Sequence, residues 1–258
     1  SGTPATGNDT FLFRASSTAQ SIITVTTTGN AALRFYIGQT NSTVPNGITA
    51  AKSDVLLTIN AGGVLESRRD TMAWSYKTGS KSVIDVYGTF NPCTASSLGL
   101  GLNVASGATA VSNDTVNVRG GGVLNVGTAG TQGVGTNQSG SLNIAASGSG
   151  TGTVNIYSGG LAHVRTGYSI GTNGKLYLEN TGKIWIVGDV TGTVAADILA
   201  GKIAPMAVPG TTGVAYGYDP TKVLGNAAAG ATWIEGVPEP ATVGLLGLGA
   251  LLLLRKRS

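Results

Sequence analysis

The residues able to do chemistry are few and scattered. The chain holds one histidine, His163, one cysteine, Cys93, and twelve Asp and Glu. Cutting a polysaccharide takes a pair of carboxylates held at a set distance, and binding calcium takes several oxygen ligands on one face. The only dense charge cluster is Glu66-Ser-Arg-Arg-Asp70, which reads as a solvated turn with local ion pairs. His163, in Leu161-Ala-His-Val, has no partner in the sequence that would make it a general base, and is expected on the surface or against a carbohydrate. Gly120-Gly-Gly122 lacks the Lys-Ser/Thr of a phosphate loop and the Asp of a calcium-binding nonapeptide, so it reads as a turn. Cys93 follows Asn91-Pro92 with no His or second Cys nearby and is expected to be a buried or idle thiol. No catalytic residue, metal site or cofactor is expected, and the chain reads as a non-enzyme.

Composition supports a structural reading. Charged residues are 11% of the 258, and 41 glycines stand beside four Phe and three Trp. Such a chain is built of tight turns and thin aliphatic cores. The net charge of +4 comes mainly from Arg255, Lys256 and Arg257; the rest carries thirteen basic and twelve acidic residues. A nucleic-acid partner needs a basic stripe, and none is present. With one cysteine, no internal disulfide can form, so ladders and packing must hold the fold.

A recurring phrase shows how such a chain positions its residues. Thr-Val-Asn-Val-Arg-Gly-Gly-Gly-Val-Leu-Asn-Val, from Thr115 to Val126, returns as Thr-Val-Asn-Ile-Tyr-Ser-Gly-Gly-Leu-Ala-His-Val from Thr153 to Val164. Related copies begin at Leu57 and Leu176, and shorter ones are Ile84-Asp-Val-Tyr-Gly and Leu142-Asn-Ile. Alternation with period two puts Val116, Val118, Leu124 and Val126 on one face and Asn117 and Asn125 on the other. Each copy is a strand, turn, strand unit that cannot bury its apolar face alone.

Two architectures satisfy that pattern, a parallel β-solenoid and an antiparallel sandwich. The solenoid, an all-β and β-helix-like fold, is expected because the core residues are small and aliphatic, the turns lack obligatory Asn-Gly pairs, and Pro92 is the one proline between Val55 and Val190. Leu57, Val116, Val154 and Leu176 should share one inward column and Leu65, Leu124, Ala162 and Ile184 another, at roughly 20 to 25 residues per coil. The expected organisation is N-terminal strands, first coils or a cap over 1–50, solenoid repeats over 51–190, a capping helix and irregular segment over 191–236, and a hydrophobic helix over 237–258. Helical spacing runs from Val194 to Ile203, and prolines and glycines from about 204 onward indicate irregular chain.

The tail has its own logic. Ala241 to Leu254 is an apolar run of fourteen residues, short of the ~20 of a comfortable membrane span. By the positive-inside rule Arg255, Lys256 and Arg257 stay cytoplasmic and the body lies outside. Pro238, Glu239 and Pro240 cannot continue a helix and present an extended segment to a processing enzyme.

Val237-Pro-Glu-Pro-Ala-Thr, the Leu/Gly-rich run and Arg-Lys-Arg together resemble the PEP-CTERM sorting signal of bacterial exosortase substrates, over about the last 22 residues. The resemblance implies export, transient membrane insertion, recognition at Pro238, Glu239 and Pro240 by an exosortase-type enzyme, and delivery to the cell surface or extracellular matrix, in association with exopolysaccharide and glycosylation. The repeat region resembles β-helical surface proteins that share this tail. The start at Ser1, without Met or apolar leader, is what a mature exported chain would show.

Three functions follow as expectations. The first is a structural protein of the envelope or matrix, a homo-oligomer or filament, with Ile22, Ile23 and Val25 in a strand able to add to a neighbour's sheet. The second is a carbohydrate-binding adhesin, with Trp185 as an outward glycan contact beside Asn117, Asn143 and Asn155. The third is a polysaccharide-degrading β-helix enzyme. Candidate glycosylation sequons lie at Asn8, Asn41, Asn113 and Asn137, although a Ser/Thr-rich chain generates such triplets by chance.

Overall fold

The computed structural model of the chain describes residues 10–13, 21–25, 34–37, 54–66, 71–73, 81–92, 102–105, 113–127, 140–224 and 229–238. The first strands are β1 (Thr10–Phe13), β2 (Ser21–Val25), β3 (Arg34–Ile37), β4 (Asp54–Ile59) and β5 (Val64–Glu66). They are followed by β6 (Thr71–Ala73), β7 (Lys81–Val86), β8 (Thr89–Asn91), β9 (Leu102–Val104), β10 (Asn113–Val118) and β11 (Val123–Val126). Next come β12 (Ser141–Ile144), β13 (Thr151–Ile156), β14 (Leu161–Val164), β15 (Gly167–Ile170), β16 (Gly174–Leu178) and β17 (Lys183–Val187). The chain then forms the helix α1 (Thr191–Leu199), β18 (Ile203–Pro205), β19 (Thr211–Asp219) and β20 (Ala231–Pro238).

The strands fall into three sheets visited in rotation. The first is ordered β1-β3-β6-β9-β12-β15, the second β2-β4-β7-β10-β13-β16-β18, and the third β5-β8-β11-β14-β17-β20-β19. From β3 to β14 each strand pairs in parallel with the one three places further along the chain. The strands before residue 51 belong to the same ladders, with β2 in register against β4 and β3 against β6.

Register puts equivalent residues of successive copies side by side. Leu57, Ile84, Val116, Val154, Leu176 and Ile203 form one column. Leu65, Phe90, Leu124, Ala162 and Ile184 form another, continued by Ile234 from an antiparallel strand. All are buried, so both predicted columns are core columns, and alternation along each strand does the sorting.

The step between column members is less regular than the expected 20 to 25 residues. It is 22 from Val154 to Leu176 and 38 from Val116 to Val154. Pairing fixes only the strands, and connections absorb the difference: residues 165–166 join β14 to β15, whereas 127–140 join β11 to β12. Connections between strands lengthen at little thermodynamic cost.

The glycine turns are required by this stacking. Gly63, Gly122, Gly160 and Gly182 close equivalent turns by donating to the carbonyls of Asn60, Arg119, Tyr157 and Glu179. A Cβ on Gly122 would stand 2.0 Å from the Val86 carbonyl oxygen, and one on Gly160 2.5 Å from that of Val118. The adjacent strand of the ladder fills the space a side chain would need.

The C-terminal part differs from expectation in two places. Helix α1 stops at Ala200, Gly201 adopts φ +65°, and Ile203 turns into β18 at the edge of the second sheet, so the predicted helix is cut short. A glycine in the left-handed region is a common way to end a helix. The segment expected to be irregular from 204 to 236 holds β19 and β20, which pair with each other and, through β20, antiparallel with β17. This reversal ends the parallel stacking of the third sheet and covers its last edge.

Candidate functional site

On the face of each sheet away from the core, polar side chains in register bond to one another. In the second sheet Asn155 Nδ2 donates to Asn117 Oδ1 at 2.8 Å, and Asn117 Nδ2 donates to Asp85 Oδ1 at 2.9 Å. Arg119 reaches the same Asp85 oxygen through Nε and a terminal nitrogen, at 3.0 and 2.7 Å, and stacks on Tyr157 at 4.2 Å. In the third sheet Asn91 Nδ2 donates to Glu66 Oε1 at 3.0 Å, and Asn125 Nδ2 donates to Asn91 Oδ1 at 2.9 Å. The first sheet repeats the motif, with Asn143 Nδ2 donating to Asn103 Oδ1 at 3.0 Å.

These ladders have a direction. A carboxylate only accepts, so the amide next to it must donate and turn its oxygen to the following residue. In the third sheet that logic reaches His163, whose Nδ1 lies 2.9 Å from Asn125 Oδ1. The network therefore places the proton on Nδ1 and leaves the lone pair on Nε2. His163 thus has a partner, contrary to its isolation in the sequence, because register carries Asn125 to it across 38 residues.

Burial, together with the positive charge of Lys222, lowers the His163 pKa below its ordinary 6.5. The folded state therefore binds the neutral ring, while the unfolded chain begins to take up a proton near pH 6.5. Stability should be complete above pH 6.5 and fall as pH drops through the lowered value. His163→Asn should flatten the melting temperature between pH 6.5 and 5, while the NMR titration of His163 in the parent chain reports the lowered midpoint.

The same column continues from His163 to Trp185 and Trp233, which face each other across β17 and β20. Lys222 Nζ lies 4.7 Å from the Trp185 ring centre, and Lys183 Nζ 5.8 and 5.7 Å from those of Trp185 and Trp233. Lys183 also pairs with Glu235 at 2.6 Å. The Trp233 indole lies flat against Gly217, where a Cβ would come within 3.0 Å of the ring. The result is a half-buried aromatic pair framed by cations. Sequence reading named Trp185 and missed Trp233, although Thr232-Trp-Ile alternates as Ile184-Trp-Ile does.

Other predicted residues are placed as follows. Ile22 is 66% exposed on β2, the outermost strand of the second sheet among the described residues, while Val25 packs against the core. Asn113 is exposed at the start of β10. Glu66 is buried at the end of β5 and accepts from Asn91, so it does not lie in a solvated turn; the alternation that aligns it with Asn91 and Asn125 was the available signal. Gly120 to Gly122 form the expected turn. The side chain of Ile23, together with Asn8, Asn41, Cys93, Asn137, Glu239, Pro240, Arg255, Lys256 and Arg257, lies outside the described residues, as does the predicted terminal hydrophobic helix. Among the described residues no helix is long and apolar enough to cross a membrane, and no three His, Cys, Asp or Glu side chains converge as metal ligands.

Pro238 is exposed and ends β20, which lies between β17 and β19, the outermost strand of the third sheet among the described residues. Gly236, two residues earlier, donates its amide to the Gly182 carbonyl at 3.1 Å. A body of stacked, mainly parallel sheets thus leads directly into the Pro-Glu-Pro and apolar tail of a sorted surface protein. Residues 236–258 match the PEP-CTERM protein-sorting motif, so the chain is a PEP-CTERM sorting-signal protein, exported and directed to the cell surface through an exosortase. No curated protein and no solved structure matches the chain.

Proposed function

We propose that the body is a parallel β-solenoid serving as a non-catalytic structural component of the cell surface or extracellular matrix. The observation that carries this reading is the rotation of successive strands through three sheets whose outer polar residues are laddered to one another. Side chains that satisfy each other along the stack stiffen a surface and leave few groups poised for chemistry. The apolar tail enters the membrane transiently, the exosortase removes it, and the body joins a filament or homo-oligomer, with exopolysaccharide as a neighbour and Asn113 as a glycan acceptor.

Strand β2 supports self-assembly, because it is the outermost strand of the second sheet among the described residues and carries an exposed Ile22, and such an edge is a template for pairing. Electron microscopy and light scattering should find elongated multimers, and Ile22→Lys should reduce them to single particles at unchanged secondary structure. The Trp185–Trp233 pair favours a second reading, a carbohydrate-binding adhesin. Monodisperse parent protein that binds a glycan saturably, and loses binding on Trp185→Ala, would displace the filament reading in its favour.

A further inference from the structure

We infer that the last hairpin of the body gates the sorting motif, storing its N-terminal residues in strand pairing so that exosortase access tracks the opening of that strand end. This rests on the assignment of residues 236–258 as the sorting motif.

The motif begins inside the folded body. Gly236, Val237 and Pro238 are the last three residues of β20. Gly236 is paired with Val214, Val237 with Gly213 and Pro238 with Thr211, with a register shift between Thr211 and Gly213. On its other side Gly236 is seated on the turn that precedes β17. Its amide donates to Gly182, and a Cβ there would stand 2.6 Å from the Asn180 carbonyl oxygen and 2.7 Å from the Asn180 nitrogen. The first residue of the motif is thus clamped between β19 and the Asn180 turn.

The clamp is held by residues outside the motif. Thr211 Oγ1 donates to Asn180 Oδ1 at 3.0 Å and accepts the Asn180 amide at 3.1 Å, tying the start of β19 to the same turn. Thr212 Oγ1 lies 3.4 Å from the carbonyl oxygens of both Val237 and Pro238. Beyond Pro238 only Glu239 and Pro240 precede the apolar run that starts at Ala241, a slack of about 7 Å. An enzyme that binds an extended segment around Pro-Glu-Pro competes with β19 for Val237 and Gly236, because a paired strand cannot offer its backbone to a second partner. Opening of the strand end precedes recognition, and processing rate follows the open population when closing is fast. An unfolded body has no such clamp, so a folded body is processed more slowly than a free peptide of the same motif.

The test uses the full chain in lipid vesicles, mixed with membranes from bacteria that express an exosortase or from cells lacking it, with tail loss followed by intact mass. Hydrogen exchange at the Gly236 amide is measured on the same sample. The parent chain should show Gly236 protected. Thr211→Val/Thr212→Val, which leaves every motif residue unchanged, should raise both Gly236 exchange and processing rate by the same factor, roughly five- to tenfold. Thr212→Val alone, at an exposed hydroxyl, should give a smaller parallel rise and serves if the double variant folds poorly. Gly236 exchanging like a free peptide in the parent chain would overturn the gate, as would faster exchange with an unchanged processing rate. A parent chain that keeps its tail with the exosortase membranes, while a peptide of residues 230–258 also stays intact, would instead overturn the sorting assignment and the gate with it.

Discussion

Gly122→Ala is expected to destabilise the protein by about 3 kcal/mol, which for a chain of this size lowers the melting temperature by about 10 °C. The added methyl would stand 2.0 Å from the Val86 carbonyl oxygen, 2.9 Å from its carbon and 3.0 Å from the Arg119 oxygen. All three neighbours are backbone. The Val86 oxygen also accepts the amide of Arg119, so moving it breaks the ladder that joins β7 to β10. Gly121→Ala is the control: no atom lies within 4 Å of its Cβ position, but φ is +79°. It should cost about 1 kcal/mol, the strain of a left-handed alanine. Urea titration of the two variants checks the difference, and hydrogen exchange should show the Gly122→Ala damage concentrated in β7, β8, β10 and β11. Equal losses for the two variants would mean that turn conformation, and not close stacking, makes Gly122 necessary.

The core was legible in the sequence because burial along a strand repeats every second residue. Val116, Val118, Leu124 and Val126 are apolar at alternate positions, and copies of the same phrase had to fall into register to cover them. The polar face was legible in position only. Asn117 and Asn125 were placed away from the core correctly, but a sequence does not state that a neighbour 32 or 34 residues away stands within hydrogen-bond reach. The short copy Ile84-Asp-Val held the missing signal, since Asp85 occupies the position of Asn117 and Asn155.

At the C-terminal end the tail motif was recognisable because its three features are contiguous. Its attachment was not recognisable. Gly236 falls at the end of the segment expected to be irregular and Val237 at the start of the expected tail, and only the arrival of β19 and the Asn180 turn makes them part of a strand. Prolines and glycines between 204 and 236 signalled breaks in structure correctly at Pro209-Gly210 and at Pro220, yet the nine residues between those breaks, Thr211 to Asp219, form β19. Thr, Val and Tyr between the breaks carry strand propensity that the glycines obscured.

Asn117→Asp should cost about 3 kcal/mol at pH 7, although the change replaces an NH2 by an oxygen of nearly the same size. Asn117 is nearly buried, donates to Asp85 and accepts from Asn155. A carboxylate at 117 keeps the second bond, loses the first, and faces the Asp85 charge across the same 2.9 Å. Arg119, already bonded to Asp85, offsets part of the repulsion. Two like charges this close raise the carboxyl pKa in the folded state above the unfolded value of about 3.9. The folded variant then binds more protons than the unfolded chain, so its stability is greatest at low pH and is lost as pH rises through the raised value. Asp85→Asn is the reciprocal change. Its side-chain oxygen can still accept from Asn117, and Arg119 loses only the charge assistance, so the cost should be about 1 kcal/mol and carry no such pH dependence. Equilibrium unfolding of both variants at pH 4.5 and 7 distinguishes a directional ladder from simple polar packing. Equal losses at both pH values would sink the directional reading, because a ladder headed by a carboxylate has one end that must accept.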